Sequence, residues 1–168
     1  MREFPAVLAL VLLASCNRSP PLARAQAEPK LDPSSFFTGR SSGEATLDIL
    51  VLGKTPVWVE SRGLRRADGA VVLDQRIAQF DKPDRLRRWV IRPAGPGRWS
   101  GSLTDAAGPV TIRAQGNAAT IDFTAKDGVA IHQDLRLRAD RNTLDNRLTA
   151  TKWGVQVATL SEVIRKLD

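Results

Sequence analysis

His132 is the only histidine in 168 residues, and it stands in the run His132-Gln133-Asp134-Leu135-Arg136. In an extended segment alternate residues share a face, so imidazole, carboxylate and guanidinium would project together. Such a trio can polarise a substrate or hold a small anion. A small-substrate enzyme built on Asp134, His132 and Arg147 would need all three in one cleft. No serine or cysteine nucleophile sits in an identifiable motif and no second imidazole is present, so no residue is assigned a catalytic role. The simpler expectation is a partnered histidine on a sheet face. One histidine, one cysteine and dispersed carboxylates do not make a Cys/His zinc site. No calcium-loop motif occurs either, and no cofactor is expected.

Asn146-Arg147 is the second polar pair with chemical capacity. Asn146 can hydrogen-bond backbone, and Arg147 can clamp a carboxylate bidentately. The pair is either a structural corner or a ligand anchor. Asp74/Arg76, Asp134/Arg136 and Asp145/Arg147 repeat one i, i+2 spacing. Outside a barrel these would be weak cross-strand pairs, each worth less than about 1 kcal/mol. Inside, they would line a polar cavity. The opposite faces carry Val, Leu and Ile, which favours the outside. Trp58, Trp89, Trp99 and Trp153 suit core or barrel-mouth packing, with stacking on a ligand open to one or two of them. The candidate ligand-binding set is therefore Trp99, His132, Asp134, Arg136, Asn146, Arg147 and Trp153.

The elements that must position these residues are strands. From Glu44 to Lys166 short runs alternate apolar with polar residues, as in Val71-Leu73-Gln75-Ile77 against Val72-Asp74-Arg76-Ala78. Period two with one apolar face marks half-buried antiparallel strands. Asp68-Gly69, Gly95-Pro96-Gly97, Gly108-Pro109, Gly116-Asn117 and Asp127-Gly128 punctuate the runs as hairpin turns. The pattern predicts an all-β, antiparallel up-and-down barrel of about ten strands over residues 35–168, with a two-sheet sandwich second.

The N-terminus reads differently. Arg2 and the apolar stretch Phe4 to Leu13 lead into Leu13-Ala14-Ser15-Cys16, which holds the only cysteine. The stretch is too short to span a bilayer, which takes about 20 apolar residues, and has signal-peptide proportions. Leu-Ala-Ser-Cys resembles a lipoprotein lipobox, so residues 1–15 are expected to be a signal peptide and Cys16 an acylated N-terminus anchored in a lipid bilayer. Ordinary secretion after Ala23-Arg24-Ala25 is the second reading. Residues 16–34, rich in Pro, Ala and Ser, read as a flexible tether. This places the protein in a bacterial cell envelope, facing the periplasm, with inner and outer membrane undecided.

The formal net charge is +7. Acidic residues interleave with the arginines, and aromatics make up only 5%, which argues against stacking and a nucleic-acid partner. A solvated basic face that favours anionic headgroups fits better.

Four motifs carry a resemblance: Phe36-Phe37-x-Gly39, Gly116-Asn117-Ala118, Asn142-Thr143-Leu144-Asp145-Asn146-Arg147, and Lys152-Trp153-Gly154-Val155-x-Val157. In order and spacing they resemble the proteobacterial envelope lipoproteins catalogued as domain of unknown function 3833. The resemblance runs from Phe36 to about Lys166. It implies an exported barrel of calycin or lipocalin shape and brings no activity or catalytic residue. The family tends to place acidic and aromatic residues where this chain has His132 to Leu137, and here that run lacks Trp and Tyr. The expected function is non-enzymatic binding of a small apolar or amphiphilic, lipid-like ligand. A structural or protein-interaction lipoprotein with a filled barrel comes second.

Overall fold

The computed structural model describes residues 21–168. Cys16 and the expected signal peptide lie outside the described residues. After a four-residue helix, α1 (Pro33–Phe36), ten strands follow in order: β1 (Gly39–Ile49), β2 (Gly53–Arg65), β3 (Val71–Gln79), β4 (Lys82–Pro93), β5 (Arg98–Leu103), β6 (Val110–Gln115), β7 (Ala118–Thr124), β8 (Ala130–Leu137), β9 (Thr143–Lys152) and β10 (Val155–Lys166). Each pairs antiparallel with its sequence neighbour, and β10 returns to pair with β1, so the sheet closes into a barrel. Closure leaves no free sheet edge. This is the up-and-down barrel that the alternation predicts, and the sandwich is set aside.

The two ends differ. One is plugged by the chain leading into β1. Asp32 caps α1 by accepting a hydrogen bond from Ser35 N at 2.9 Å, and Pro33 opens the helix, the two residue types that favour a helix start. Leu31, Phe36 and Phe37 are buried here, the two rings meeting edge to face at 5.2 Å. Trp99 Nε1 donates to Ser34 Oγ at 2.8 Å. Lys166 Nζ donates to the carbonyls of Phe36 and Thr38. Beneath the plug lies the main core, with Trp89, Ile91, Leu103, Val110, Ile112, Leu135, Leu137, Leu144 and Ile164. Leu144 is wholly inaccessible, and burying a side chain of that kind contributes about 1.5–3 kcal/mol.

The segment read as a free tether is docked where it is described. Leu31 N donates to the Gly116 carbonyl and Asn117 N to that of Gln26, while Asn117 Oδ1 accepts from Gln26 N at 2.7 Å. Asn117 Nδ2 in turn holds the Leu137 carbonyl. A Cβ at Gly116 would overlap the Gln26 carbonyl, so the close approach of the two chains needs glycine there. The polar composition that suggested flexibility hides backbone pairing, which composition does not report. The other end of the barrel carries the hairpin turns β1–β2, β3–β4, β5–β6, β7–β8 and β9–β10.

Candidate functional site in the barrel lumen

The inward-facing residues of six strands set a polar group between apolar ones on β10, β9, β8 and β3, while β2 carries its polar residue one step nearer the plug and β4 carries two arginines before its tryptophan. Going from the hairpin end toward the plug, β10 presents Leu160, Glu162, Ile164; β9 presents Leu148, Asn146, Leu144; β8 presents Ile131, Gln133, Leu135; β3 presents Ile77, Gln75, Leu73; β2 presents Val57, Val59, Ser61; and β4 presents Arg85, Arg87, Trp89. Polar side chains thus form a layer across the lumen. Below it is the main core. Above it an apolar collar of Ala45, Leu47, Val57, Val59, Ile77 and Leu160 leads to the hairpin end. A cavity of about 190 Å³ runs through these layers, from Phe37 beneath the plug to Gln79 and the exposed Arg85.

The polar layer is hydrogen-bonded internally, with one atom over. Asn146 Nδ2 donates to Gln133 Oε1 at 3.1 Å and to Glu162 Oε2 at 2.9 Å. Asn146 Oδ1 is buried without a partner. An unsatisfied buried acceptor costs about 1–3 kcal/mol, and it supplies a place for a donor. Gln75 is committed on both sides: its Oε1 accepts from Trp89 Nε1 at 2.7 Å and its Nε2 donates to Ser61 Oγ at 3.1 Å. Gly43, facing in from β1, makes room for the carboxylate, since a Cβ there would overlap Glu162 Oε1.

Burial drives the electrostatics. The Glu162 carboxyl is raised above the ordinary range by desolvation, against the opposing pull of the Asn146 hydrogen bond and the Arg87 charge. Burial likewise holds Arg87 below its usual value, although Asp105, whose Oδ2 accepts from Arg87 Nε at 2.9 Å, offsets part of that effect. A desolvated carboxyl, two amides and a guanidinium can bind the polar group of a small molecule as donors and acceptors together. Among the described residues no group of three or more His, Cys, Asp or Glu side chains is placed to hold a metal ion.

Of the sequence candidates, the structure brings only Asn146 into the polar layer of the lumen. Trp99 braces the plug through Ser34. His132, Asp134 and Arg136 face outward from β8. His132 Nδ1 lies 2.6 Å from Asp122 Oδ1 and Nε2 lies 3.4 Å from Asp134 Oδ2. The Asp122 hydrogen bond chiefly raises the histidine pKa, burial opposing it. Arg136 Nε donates to the Ala23 carbonyl. Arg147 stands on the outer face of β9, directly across from Asp134 in the β8–β9 register. Trp153 is 92% exposed at the β9–β10 turn. The i, i+2 charge pairs also lie outside, where Asp74 pairs with Arg88, Arg76 with Glu60 and Asp84, and Asp145 with Arg138.

Sequence reasoning passed over Gln75, Arg87, Gln133 and Glu162. The signal was present for Gln75, Gln133 and Glu162, each a polar residue in the apolar phase of an alternating strand, whereas Arg87 follows Arg85 in the same phase and carries none. Paired charges draw the eye to the solvated phase, where charge costs little.

Among solved structures, an S-type phycobiliprotein lyase, CPES, from Guillardia theta aligns with a TM-score of 0.62 at 4% identity, covering 80% of this chain and 90% of that one. At such identity the likeness is one of fold. No curated protein sequence matches the chain. The four motifs that carry the sequence resemblance fall on the plug, the Gly116-Asn117 clamp, the polar layer and the β9–β10 turn, and the family profile matches residues 10–166, so the chain belongs to the family of proteins of unknown function DUF3833.

Proposed function

We propose that this protein is a non-enzymatic binding barrel that takes a small apolar or amphiphilic, lipid-like molecule head-first into its lumen. The observation that carries the reading is the unpartnered Asn146 Oδ1 beside Glu162 in a cavity of about 190 Å³. Cavities of about 150 Å³ already admit a benzene-sized guest. The lumen therefore holds a polar head and a few carbons, with any remaining chain passing through the apolar collar toward the hairpin end. Orientation follows from the layering: polar group to Asn146, Glu162, Gln133 and Arg87, hydrocarbon to Val57, Val59, Ile77 and Leu160. The Leu-Ala-Ser-Cys16 segment supports a periplasm-facing lipoprotein held to a bilayer by an acylated Cys16.

Titrating the full chain with a fluorescent fatty acid and a fluorescent long-chain alcohol tests the proposal. Saturable one-to-one binding of either, weakened at least about tenfold by Asn146→Leu, is expected. If neither probe binds and native mass spectrometry finds no co-purified amphiphile, the carrier reading is lost. The second reading, a structural or interaction lipoprotein, draws on the plugged half of the barrel, which is filled by its own side chains. It then takes over, and crosslinking to an envelope protein is its mark.

A further inference from the structure

We infer that the hairpin end of the barrel docks on a lipid bilayer, with the mouth of the lumen turned toward the membrane. Three of its five turns carry large apolar side chains in solvent: Leu50, Val51 and Leu52 between β1 and β2, Phe80 between β3 and β4, and Trp153 between β9 and β10, with Val155 at the start of β10. Val51 is 95% and Trp153 92% exposed, so neither packs against the fold. These turns are consecutive around the rim. Leu50 N donates to the Val157 carbonyl, joining β1–β2 to β9–β10, and Val57 pairs with Gln79 beside Phe80.

Both extreme residues also occupy unfavourable backbone. Val51 has φ 77° and Trp153 φ 50°, the left-handed region where glycine or asparagine is the ordinary occupant and a β-branched residue is an outlier. The fold gains no contact in return for the strain at Val51, which points to a demand from outside the fold.

The occupant is identified by chemistry. Each apolar turn has a lysine beside it: Lys54, Lys82 and Lys152. Lys152 Nζ sits 5.1 Å from the centre of the Trp153 ring. Tryptophan flanked by lysine, with aliphatic side chains at the tip, suits the boundary between headgroups and acyl chains, and the +7 net charge favours an anionic surface. The position of the N-terminal segment agrees. Pro21 to Ala23 lie against the outer wall beside Thr46, Pro56, Trp58 and Ser161. Cys16 is five residues before Pro21, within about 17 Å of extended chain. Pro56 stands three residues into β2 from Gly53, about 10 Å along a strand, so a segment leaving this groove is long enough for anchor and apolar rim to meet one membrane plane.

This inference deepens the carrier reading by assigning its ligand a route from the bilayer, and one set of measurements separates the two. The full chain is reconstituted in vesicles of phosphatidylethanolamine and phosphatidylglycerol with brominated acyl chains, and tryptophan quenching is read. Quenching that largely disappears in Trp153→Phe is expected. The double variant Val51→Asp/Phe80→Asp, which keeps the anchor, should reduce quenching of Trp153 by roughly threefold or more with an unchanged near-UV spectrum. Fatty-acid binding in solution should be unaltered in that variant, while transfer of the probe from vesicles slows. If Trp153 is quenched no more by brominated than by plain lipid, docking is refuted even if the probe binds. If quenching occurs but no probe binds, docking stands and the carrier reading falls. Self-association by sedimentation that Val51→Asp abolishes, without lipid quenching, would assign the rim to a second copy and overturn the inference.

Discussion

The two ends of this barrel are made of the same hairpins and have opposite characters. At the plugged end Phe36, Phe37 and Trp99 point inward, and the turns there present Arg66, Asp68, Arg138, Asp140 and Arg141 to water. At the hairpin end Val51, Phe80 and Trp153 point outward while the lumen behind them keeps a cavity. Stability is concentrated where the side chains of α1 and the strands interlock. The other half leaves an acceptor unsatisfied, a carboxyl desolvated and a valine in left-handed backbone. These departures from the lowest-energy arrangement lie in the half that keeps the cavity, which is the pattern expected where a barrel serves a ligand or a surface.

The comparison is broken most readily by truncating matched leucines. Leu144 in the main core and Leu160 in the collar face the lumen from adjacent strands. Leu144→Ala should lower unfolding free energy by about 3–5 kcal/mol, because the close-packed site cannot collapse. Leu160→Ala should cost about half of that or less, since its side chain is only partly buried beside an existing cavity. Equal losses in denaturant titrations would mean that the collar is as tightly packed as the core and that the two halves do not differ.

The next test concerns Glu162. Its carboxyl takes up a proton more readily in the folded than in the unfolded chain. Between those two values the native state therefore binds more protons, and stability falls as pH rises. The stability is fully present below the unfolded carboxyl value and is lost as pH passes through the folded one. Glu162→Gln removes the ionisation and keeps an oxygen to accept from Asn146. It should match the wild type in acid and exceed it at neutral and higher pH, each pKa unit of separation corresponding to about 1.4 kcal/mol. Thermal melting temperatures of both proteins across the acid-to-neutral range check this. A constant difference at all pH values would show that Glu162 does not titrate with folding.

The strained turn offers a smaller effect of opposite sign. Val51→Gly should raise stability by about 1 kcal/mol, because glycine accepts φ 77° without a steric penalty. The same change should weaken vesicle binding. A variant less stable than the wild type would mean that Val51 contributes a packing interaction to the fold.

The barrel was legible because its strands obey a simple rule: inward residues are apolar and outward ones polar. The site was hidden by the same rule. Gln133 and Glu162 break the alternation, yet a lone polar residue in an apolar phase looks like noise until strand closure aligns it with Asn146 and Gln75 from other strands. That alignment rests on pairings such as Glu162 with Asn146 across β10–β9, and the return of β10 to β1 sets Glu162 over Gly43; both are properties of three-dimensional register. Asn146 was found through its motif. The role of Gly116-Asn117 depends on a segment 91 residues away in sequence, where local pattern has no reach.

His132 gives the smallest expected effect and sharpens the contrast between inner and outer faces. Its pair with Asp122 is close to half-exposed on both sides, where ion pairs are worth less than about 1 kcal/mol. The Asp122 hydrogen bond raises the histidine pKa, so the pair stabilises the fold fully below the unfolded histidine value and ceases to do so as pH climbs through the folded one. His132→Ala should accordingly cost little in mild acid and nothing in alkaline solution, with fatty-acid binding unchanged at both. Loss of binding in this variant would move the working face of β8 from the lumen to the outer wall. The alternation would then have pointed to the right residues on the first reading.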